Sequence, residues 1–120
     1  MNDKIHKALG IFLDAMRPFV VSFLQQQFPN EPWEGLFFAR LKPARQTTWN
    51  QAMRAQGENQ SCMYFIDYNN LPDFAIGFKR ELGLEFENPD KANKFISYLQ
   101  ELKDIRNKCN HYQALDNEEI

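Results

Sequence analysis

The residues best suited to chemistry lie near the end of the chain, in residues 106–111, which read RNKCNH. A guanidinium cannot lose its charge at ordinary pH, so Arg106 could hold the negative charge of a phosphoryl group. A histidine changes its charge near neutral pH, so His111 could take up or release a proton. Asn107 could orient either group, while Lys103 and Asn110 could contact a phosphate or the rest of a substrate.

Arg106 interrupts an apolar helical stripe, which leaves two interpretations open. The stripe has alternating spacings of four and three residues and consists of Phe95, Leu99, Leu102, Arg106 and Cys109. Arg106 is either a rim residue, extended to solvent or paired with a carboxylate, or a charged group in a cleft. His111 lies roughly 140° around a straight helix from Arg106. The two could converge if the helix ends or unwinds near Asn110, or if two copies meet across a dimer axis.

A long helix is predicted at the N-terminus, over residues 3–27. Its apolar stripe consists of Ile5, Leu9, Phe12, Met16, Phe19 and Phe23. Pro18 lies inside this pattern and removes a helical hydrogen bond, so we expect a kink or a break near Arg17. The PNEP stretch at residues 29–32 ends the helix.

Shorter helices are predicted in the middle of the chain. They cover residues 33–41, about 48–56, 61–68 and about 72–82, with LKPARQ at residues 41–46 as a connector. Thr48 and Gln51 fit a capping box at the start of the second of these helices, and Gly57 stops it. Pro72 suits a first helical turn, and Gly83 ends the helix that follows.

The last predicted helix has the clearest start. Asn88 can cap it, Pro89 fits the first turn, and Asp90 complements the helix dipole. It runs to about His111. Asp116, followed three residues later by a glutamate, resembles the start of another helix, so the chain either ends in a frayed tail or is a segment of a longer protein.

These elements predict an all-α fold, a small bundle of four or five helices with a long N-terminal helix and a long C-terminal helix. No stretch has the alternation of a half-buried strand. The chain has 120 residues, so residues 1–120 are expected to form one domain. Hydrophobic residues make up 43% of it, which is enough to bury a core.

Composition narrows the classes of function. The formal net charge of −2 argues against a broad, nonspecific grip on nucleic acid. No uninterrupted apolar run reaches the roughly 18 residues of a membrane span, so no membrane is expected. Cys62 and Cys109 lack metal-ligand spacing and fit a reducing compartment. We therefore predict a cytoplasmic protein without a metal or another cofactor.

The long helix with Arg106, Asn107 and His111, in a small all-α domain, resembles the HEPN superfamily (higher eukaryotes and prokaryotes nucleotide-binding). The family signature is an arginine, often followed by a polar residue such as asparagine, and then a histidine a few residues later. Here four residues separate Arg106 from His111. The layout covers most of the chain and is most similar to the branch found in RNA-processing and anti-phage proteins.

The resemblance implies a metal-independent endoribonuclease, active as a homodimer in which two motifs face each other. RNA would supply the nucleophile, its 2′-hydroxyl. His111 would move the proton, Arg106 would hold the charge on the phosphoryl oxygens, and Asn107 would orient one of these partners. Beyond RNA, the implied partners are a downstream ATPase or helicase domain, or the cognate antitoxin of a toxin–antitoxin pair.

The alternative is a non-catalytic helical module that dimerises, or binds RNA or a nucleotide, as part of a larger protein. The near-neutral charge and the helix-start signal at Asp116 favour this interpretation.

Other polar and aromatic residues have ordinary structural explanations. His6 is expected to be a solvated helix position. Trp33 and Trp49 could stack bases but are expected to pack at the edge of the core. Loop and cap chemistry explains the polar residues Asp67, Asn69, Asn70 and Asp73. One of these two acids could pair with Arg106.

Overall fold

The computed structural model describes the backbone of residues 2–56 and 61–118 and the side chains of residues 3–56 and 61–110. Within these ranges six α-helices follow one another: α1 (Asn2–Gln27), α2 (Trp33–Ala39), α3 (Pro43–Gln56), α4 (Leu71–Gly77), α5 (Lys79–Glu85) and α6 (Pro89–Glu118). A short 3-10 helix, Cys62–Phe65, lies between α3 and α4. The described part of the chain contains no strand, so the predicted all-α fold with long terminal helices is confirmed.

Helix α1 buries its apolar stripe against the rest of the bundle. Its buried residues are Leu9, Met16, Val20, Phe23 and Leu24. The predicted break near Arg17 does not occur, because α1 continues through Pro18. Pro18 is exposed, so it lies on the solvent side of the helix, away from the core contacts. By length and composition alone, α1 could also cross a membrane. The core helix of a soluble protein can have the same length and composition, so these two properties do not identify a membrane span.

A cluster of aromatic rings forms the centre of the core. Phe74 packs edge-on against Phe23 of α1, with ring centroids 5.9 Å apart, and lies 6.0 Å from Phe37 of α2. Phe37 in turn packs against Trp49 of α3 at 5.4 Å and against Trp33 at 6.3 Å. Each fully buried ring of this kind contributes about 1.5–3 kcal/mol to stability. Both tryptophans were predicted to pack at the edge of the core, and the structure buries both of them within it.

Helix α6 begins as predicted but ends later. The Asn88 side-chain oxygen accepts a hydrogen bond from the backbone N–H of Asp90 at 2.9 Å, so Asn88 caps the helix. Neither glycine nor proline occurs after Asn110, and α6 continues to Glu118. The end predicted near His111 is therefore wrong. Asp116 lies inside α6 and does not begin another helix, while residues 119–120 lie outside the described part of the chain.

The middle of the chain departs most from the prediction. Helix α3 begins at Pro43, because the first turn of a helix does not need the N–H that proline lacks. Residues 43–46 of the predicted connector are therefore helical. Thr48 lies within α3, and its hydroxyl donates to the carbonyl of Ala44 at 3.2 Å, so it is no cap. The helix predicted over residues 61–68 is reduced to the 3-10 helix. The predicted stop at Gly57 lies outside the described residues.

The helix predicted over residues 72–82 is divided into α4 and α5 at Phe78. Phe78 is buried and has φ −116° and ψ 27°, outside the helical region, which ends α4 and starts α5. Gly83 lies inside α5 and does not end it. A Cβ at Gly83 would lie 3.5 Å from Cα of Pro89, an ordinary van der Waals contact, so the start of α6 packs directly on α5 at this position.

Candidate functional site

The segment of residues 66–70, here called the 66–70 loop, lies between α1 and α6. Arg17 of α1 donates from Nε to the carbonyl of Ile66 at 3.0 Å. The hydroxyl of Tyr68 donates to the carbonyl of Leu9 at 2.6 Å. Within the loop, the Asn70 side-chain oxygen accepts from the backbone N–H of Asp67 at 2.8 Å. These three hydrogen bonds fix the backbone on which Asp67 is carried.

Arg106 forms an ion pair with Asp67 of this loop. Its Nη2 donates to Oδ2 of Asp67 at 3.0 Å, and the two side chains are 19% and 40% exposed. The prediction that an acid could pair with Arg106 is confirmed, and Asp67 is that acid. A guanidinium has five N–H donors, and this contact uses one. The Nε donor is buried and lacks a partner among the described residues.

Asp67 and Arg106 also set the environment of Tyr68. Burial is the main cause that raises the pKa of Tyr68 to about 12, the Asp67 carboxylate raises it further, and the Arg106 guanidinium opposes both. The phenol therefore stays neutral well above physiological pH and keeps its hydrogen bond to α1. Tyr68 is a structural donor here, not an acid–base group.

The other predicted site residues on α6 lie on two sides of the helix. Lys103, Arg106 and Asn110 recur at intervals of three and four residues and therefore follow one side. Lys103 is half-buried and Asn110 is exposed. Asn107 is also exposed, and it shares the adjacent side with residue 111, one turn further on. Their spacing thus places Lys103 and Asn110 on the same side of α6 as Arg106, whose side chain forms the ion pair with Asp67.

His111 lies within α6 by its backbone, while its side chain lies outside the described residues. Because α6 is continuous to Glu118, its backbone does not unwind near Asn110. The other route by which Arg106 and His111 could serve one site, the meeting of two copies, stays a prediction.

His6 differs from its prediction, because it is half-buried and its Nε2 is buried without a partner in the described part of the chain. Helices α1 and α6 pack antiparallel, since Phe19 lies against Phe95 with ring centroids 6.2 Å apart and Phe12 lies beside Leu102. With the two helices in this register, residue 6 of α1 lies opposite residue 108 of α6. The signal in the sequence was the three-residue spacing from His6 to Leu9, which places His6 beside the buried stripe.

A small cavity lies on the other side of Asp67. Its volume is about 120 Å³, and its lining residues are Arg45, Thr48, Trp49, Ala52, Phe65, Asp67, Asn69 and Asn70. Sequence reasoning treated the asparagines as loop residues and did not place them beside Trp49. Within the described residues, no group of three or more His, Cys, Asp or Glu side chains could hold a metal ion.

Comparison with protein-family models, with curated proteins and with solved structures finds no match for this chain. The resemblance to the HEPN superfamily therefore stays a prediction, carried by the sequence of residues 106–111 in an all-α fold.

Proposed function

We propose that the protein is a metal-independent endoribonuclease of HEPN type, with a site that forms where the α6 helices of two copies meet. RNA processing and phage defence are the settings in which such an enzyme would act. The observation that carries the proposal is the position of Arg106. It is a half-buried cation with a buried, unpartnered Nε among the described residues, on the same unbroken helix as His111.

The chemistry follows from these side-chain types. The 2′-hydroxyl of RNA attacks the adjacent phosphorus, and the bond from phosphorus to the 5′-oxygen breaks. One His111 accepts the hydroxyl proton and the His111 of the second copy gives a proton to the departing oxygen. Arg106 stabilises the charge on the phosphoryl oxygens, and Lys103 adds positive charge on the same side of α6. DNA lacks the hydroxyl and should resist cleavage.

Asn107 and Asn110 have supporting roles in this proposal. Both are exposed polar side chains close to Arg106 along α6, so both are accessible to a phosphate or sugar. Asn107 lies one turn before His111 and can orient the phosphate or the imidazole, and Asn110 contacts the substrate.

A second candidate function is a non-catalytic helical module that dimerises or binds RNA or a nucleotide. The contact between Arg106 and Asp67 favours it, because the carboxylate already neutralises the guanidinium and ties α6 to the 66–70 loop. In this case Arg106 is a structural residue, and its replacement would change stability without affecting any RNA cleavage.

An RNA cleavage assay in the presence of EDTA separates the two candidates. The parent would be compared with Arg106→Ala, His111→Ala and the matched control Lys108→Ala, which removes one exposed positive charge from the same stretch. The nuclease proposal expects cleavage by the parent and by Lys108→Ala, and a loss of about 100-fold or more in the other two. Light scattering and far-UV circular dichroism would check that each variant is folded and has the parent's oligomeric state. Unchanged cleavage by His111→Ala would remove the catalytic assignment.

A further inference from the structure

The cavity beside Asp67 shares one wall with the Arg106 ion pair. Asp67 contacts Arg106 through Oδ2 and also lines the cavity. A phosphate held near Arg106 and a group held in the cavity would therefore be separated by a single side chain. The phosphate and the base of one nucleotide are also separated by about the width of one side chain.

The volume of the cavity limits what it can hold. About 120 Å³ corresponds to about four water molecules at about 30 Å³ each. This is well below the roughly 300 Å³ at which pockets for drug-sized ligands begin. The cavity is therefore too small for a whole nucleotide, and its volume is on the scale of a single six-membered ring.

The walls of the cavity are aromatic on one side. Trp49 and Phe65 both line it, and their rings meet edge to face at 89° with centroids 5.8 Å apart. Trp49 is itself buried in the core, so the two rings give the cavity one apolar wall against which a nucleobase can pack.

The polar groups of the lining are held in defined positions. Asn70 is only 6% exposed, and its side-chain oxygen is fixed by the N–H of Asp67, which leaves its amide N–H groups as positioned donors. Asn69 has a buried side-chain oxygen without a donor among the described residues. An orphaned buried acceptor is costly, and a ligand N–H would relieve that cost.

From this arrangement we propose that the cavity is a subsite for a pyrimidine base of the RNA, and that cytosine fits it best. The amino group of cytosine donates to the acceptors Asp67 and Asn69, and its ring nitrogen and carbonyl oxygen accept from Asn70 and Arg45. The base therefore lies on the far side of Asp67 from the phosphate at Arg106. This inference rests on the proposed function, since it assigns the nucleotide that the enzyme prefers next to the cleaved bond.

Binding of uncleavable nucleotides tests the subsite without any catalysis. The indole N–H resonances of Trp49 and Trp33 would be followed by NMR while cytidine, uridine, adenosine and guanosine 3′-monophosphates are added in turn. Trp33 serves as the internal control because it does not line the cavity. We expect cytidine 3′-monophosphate to shift the Trp49 resonance saturably, with affinity about tenfold or more above that of the purine nucleotides. No shift of Trp49 with any nucleotide, or equal binding of purines, would overturn the proposal.

Two alanine replacements on α3 give a matched pair. Ala52→Leu fills the cavity without removing a polar contact, whereas Ala55→Leu adds the same side chain at an exposed position outside the lining. Ala52→Leu should weaken cytidine 3′-monophosphate binding about tenfold or more, because the leucine side chain occupies the space of the base, and Ala55→Leu should leave it unchanged. Equal binding by both variants would contradict the assignment.

The two proposals fail in different ways. If the nucleotide binds at Trp49 but His111→Ala leaves RNA cleavage unchanged, the nuclease proposal falls and the base subsite stands. If RNA is cleaved in a manner that depends on His111, but Trp49 does not respond and cleavage has no preference for pyrimidines, the subsite falls and the nuclease stands.

Discussion

A single carboxylate, Asp67, connects three features of this protein: the guanidinium of Arg106 on α6, the buried Tyr68 and the small cavity that Asp67 lines. Its effect on Arg106 is electrostatic and depends on partial burial, since the arginine is 19% exposed. A guanidinium in a partly buried position needs an anion or water molecules as hydrogen-bond partners. The stability of this region therefore depends on the charge of Asp67.

Replacing Asp67 by Asn should destabilise the protein by about 1–2 kcal/mol, because Arg106 keeps its charge but loses its anion and the pair is partly solvated. The matched control is Asp14→Asn, which breaks the pair of Asp14 with Arg17 at 3.1 Å. Asp14 is exposed, so that variant should lose about 0.5 kcal/mol or less. Urea unfolding measures both. Equal losses in the two variants would show that partial burial does not distinguish the two pairs.

Tyr68 gives a prediction at high pH. Its folded pKa of about 12 lies above the ordinary value of 10.0, so the folded state holds the phenolic proton more tightly than the unfolded state. The stability that this difference contributes is complete below pH 10 and is lost as the pH rises through about 12. Tyr68→Phe should be about 1 kcal/mol less stable at neutral pH, since its hydrogen bond to Leu9 is missing.

The same variant should lose less stability than the parent between pH 10 and about 12, because it has no phenol to ionise at this position. Unfolding free energies would be measured across this range for the parent, Tyr68→Phe and the exposed control Tyr64→Phe. Parallel curves for the parent and Tyr68→Phe would contradict the shifted pKa.

At the scale of secondary-structure elements, the start of α6 could be predicted from the sequence and the start of α3 could not. The cap at Asn88 depends on neighbours two residues away, which the sequence shows directly. The start of α3 follows a hydrogen bond from the N–H of Lys42 to Asp73, a residue 31 positions later. A contact of that range depends on the fold, so the local pattern at Thr48 indicated a cap that does not form.

This difference predicts opposite outcomes for two alanine replacements. Asn88→Ala should destabilise the protein by about 1 kcal/mol, the ordinary effect of removing a helix cap. Thr48→Ala should be neutral or stabilising by a few tenths of a kcal/mol, because alanine is the better residue inside a helix. Thermal unfolding of the two variants and the parent would decide. A loss of about 1 kcal/mol in Thr48→Ala would show that Thr48 does act as a cap.

At the scale of the whole molecule, α6 presents an apolar surface that the described part of the chain leaves open. Tyr98 is 61% exposed and Ile105 is 42% exposed, and their spacing of seven residues puts both on one side of the helix. The half-buried Leu102 and Phe12 lie beside them along a shallow depression. A second copy is the partner that the proposed function assigns to this surface.

We therefore expect Ile105→Asp to convert the protein to a monomer, since a carboxylate in an apolar interface would lose its hydration. The control is Leu84→Asp, which changes an equally large apolar side chain, 67% exposed, on α5. Sedimentation velocity would give the masses of the parent and both variants. A dimeric Ile105→Asp, or a monomeric parent, would exclude this surface as the dimer interface.

The all-α fold and the two long helices follow from hydrophobic periodicity, which depends only on local spacing. The partner of Arg106 could be named only as one of two acids, because the choice depends on how the 66–70 loop is fixed to α1 by residues about 50 positions away. His6 shows the same limit. The three-residue spacing from His6 to Leu9 is visible in the sequence, but the position of His6 opposite residue 108 depends on the packing of α1 on α6.

In the proposed nuclease, two copies of the chain build one catalytic site, and His111 is required from both. A subunit-mixing assay tests it directly: the parent and His111→Ala are unfolded together in equal amounts, refolded, and assayed for RNA cleavage in EDTA at constant total protein. Random pairing leaves about one quarter of the dimers with two intact copies, so a site that needs both copies predicts about one quarter of the parent's activity. About one half of the parent's activity would contradict it, because each intact chain would then act without its partner.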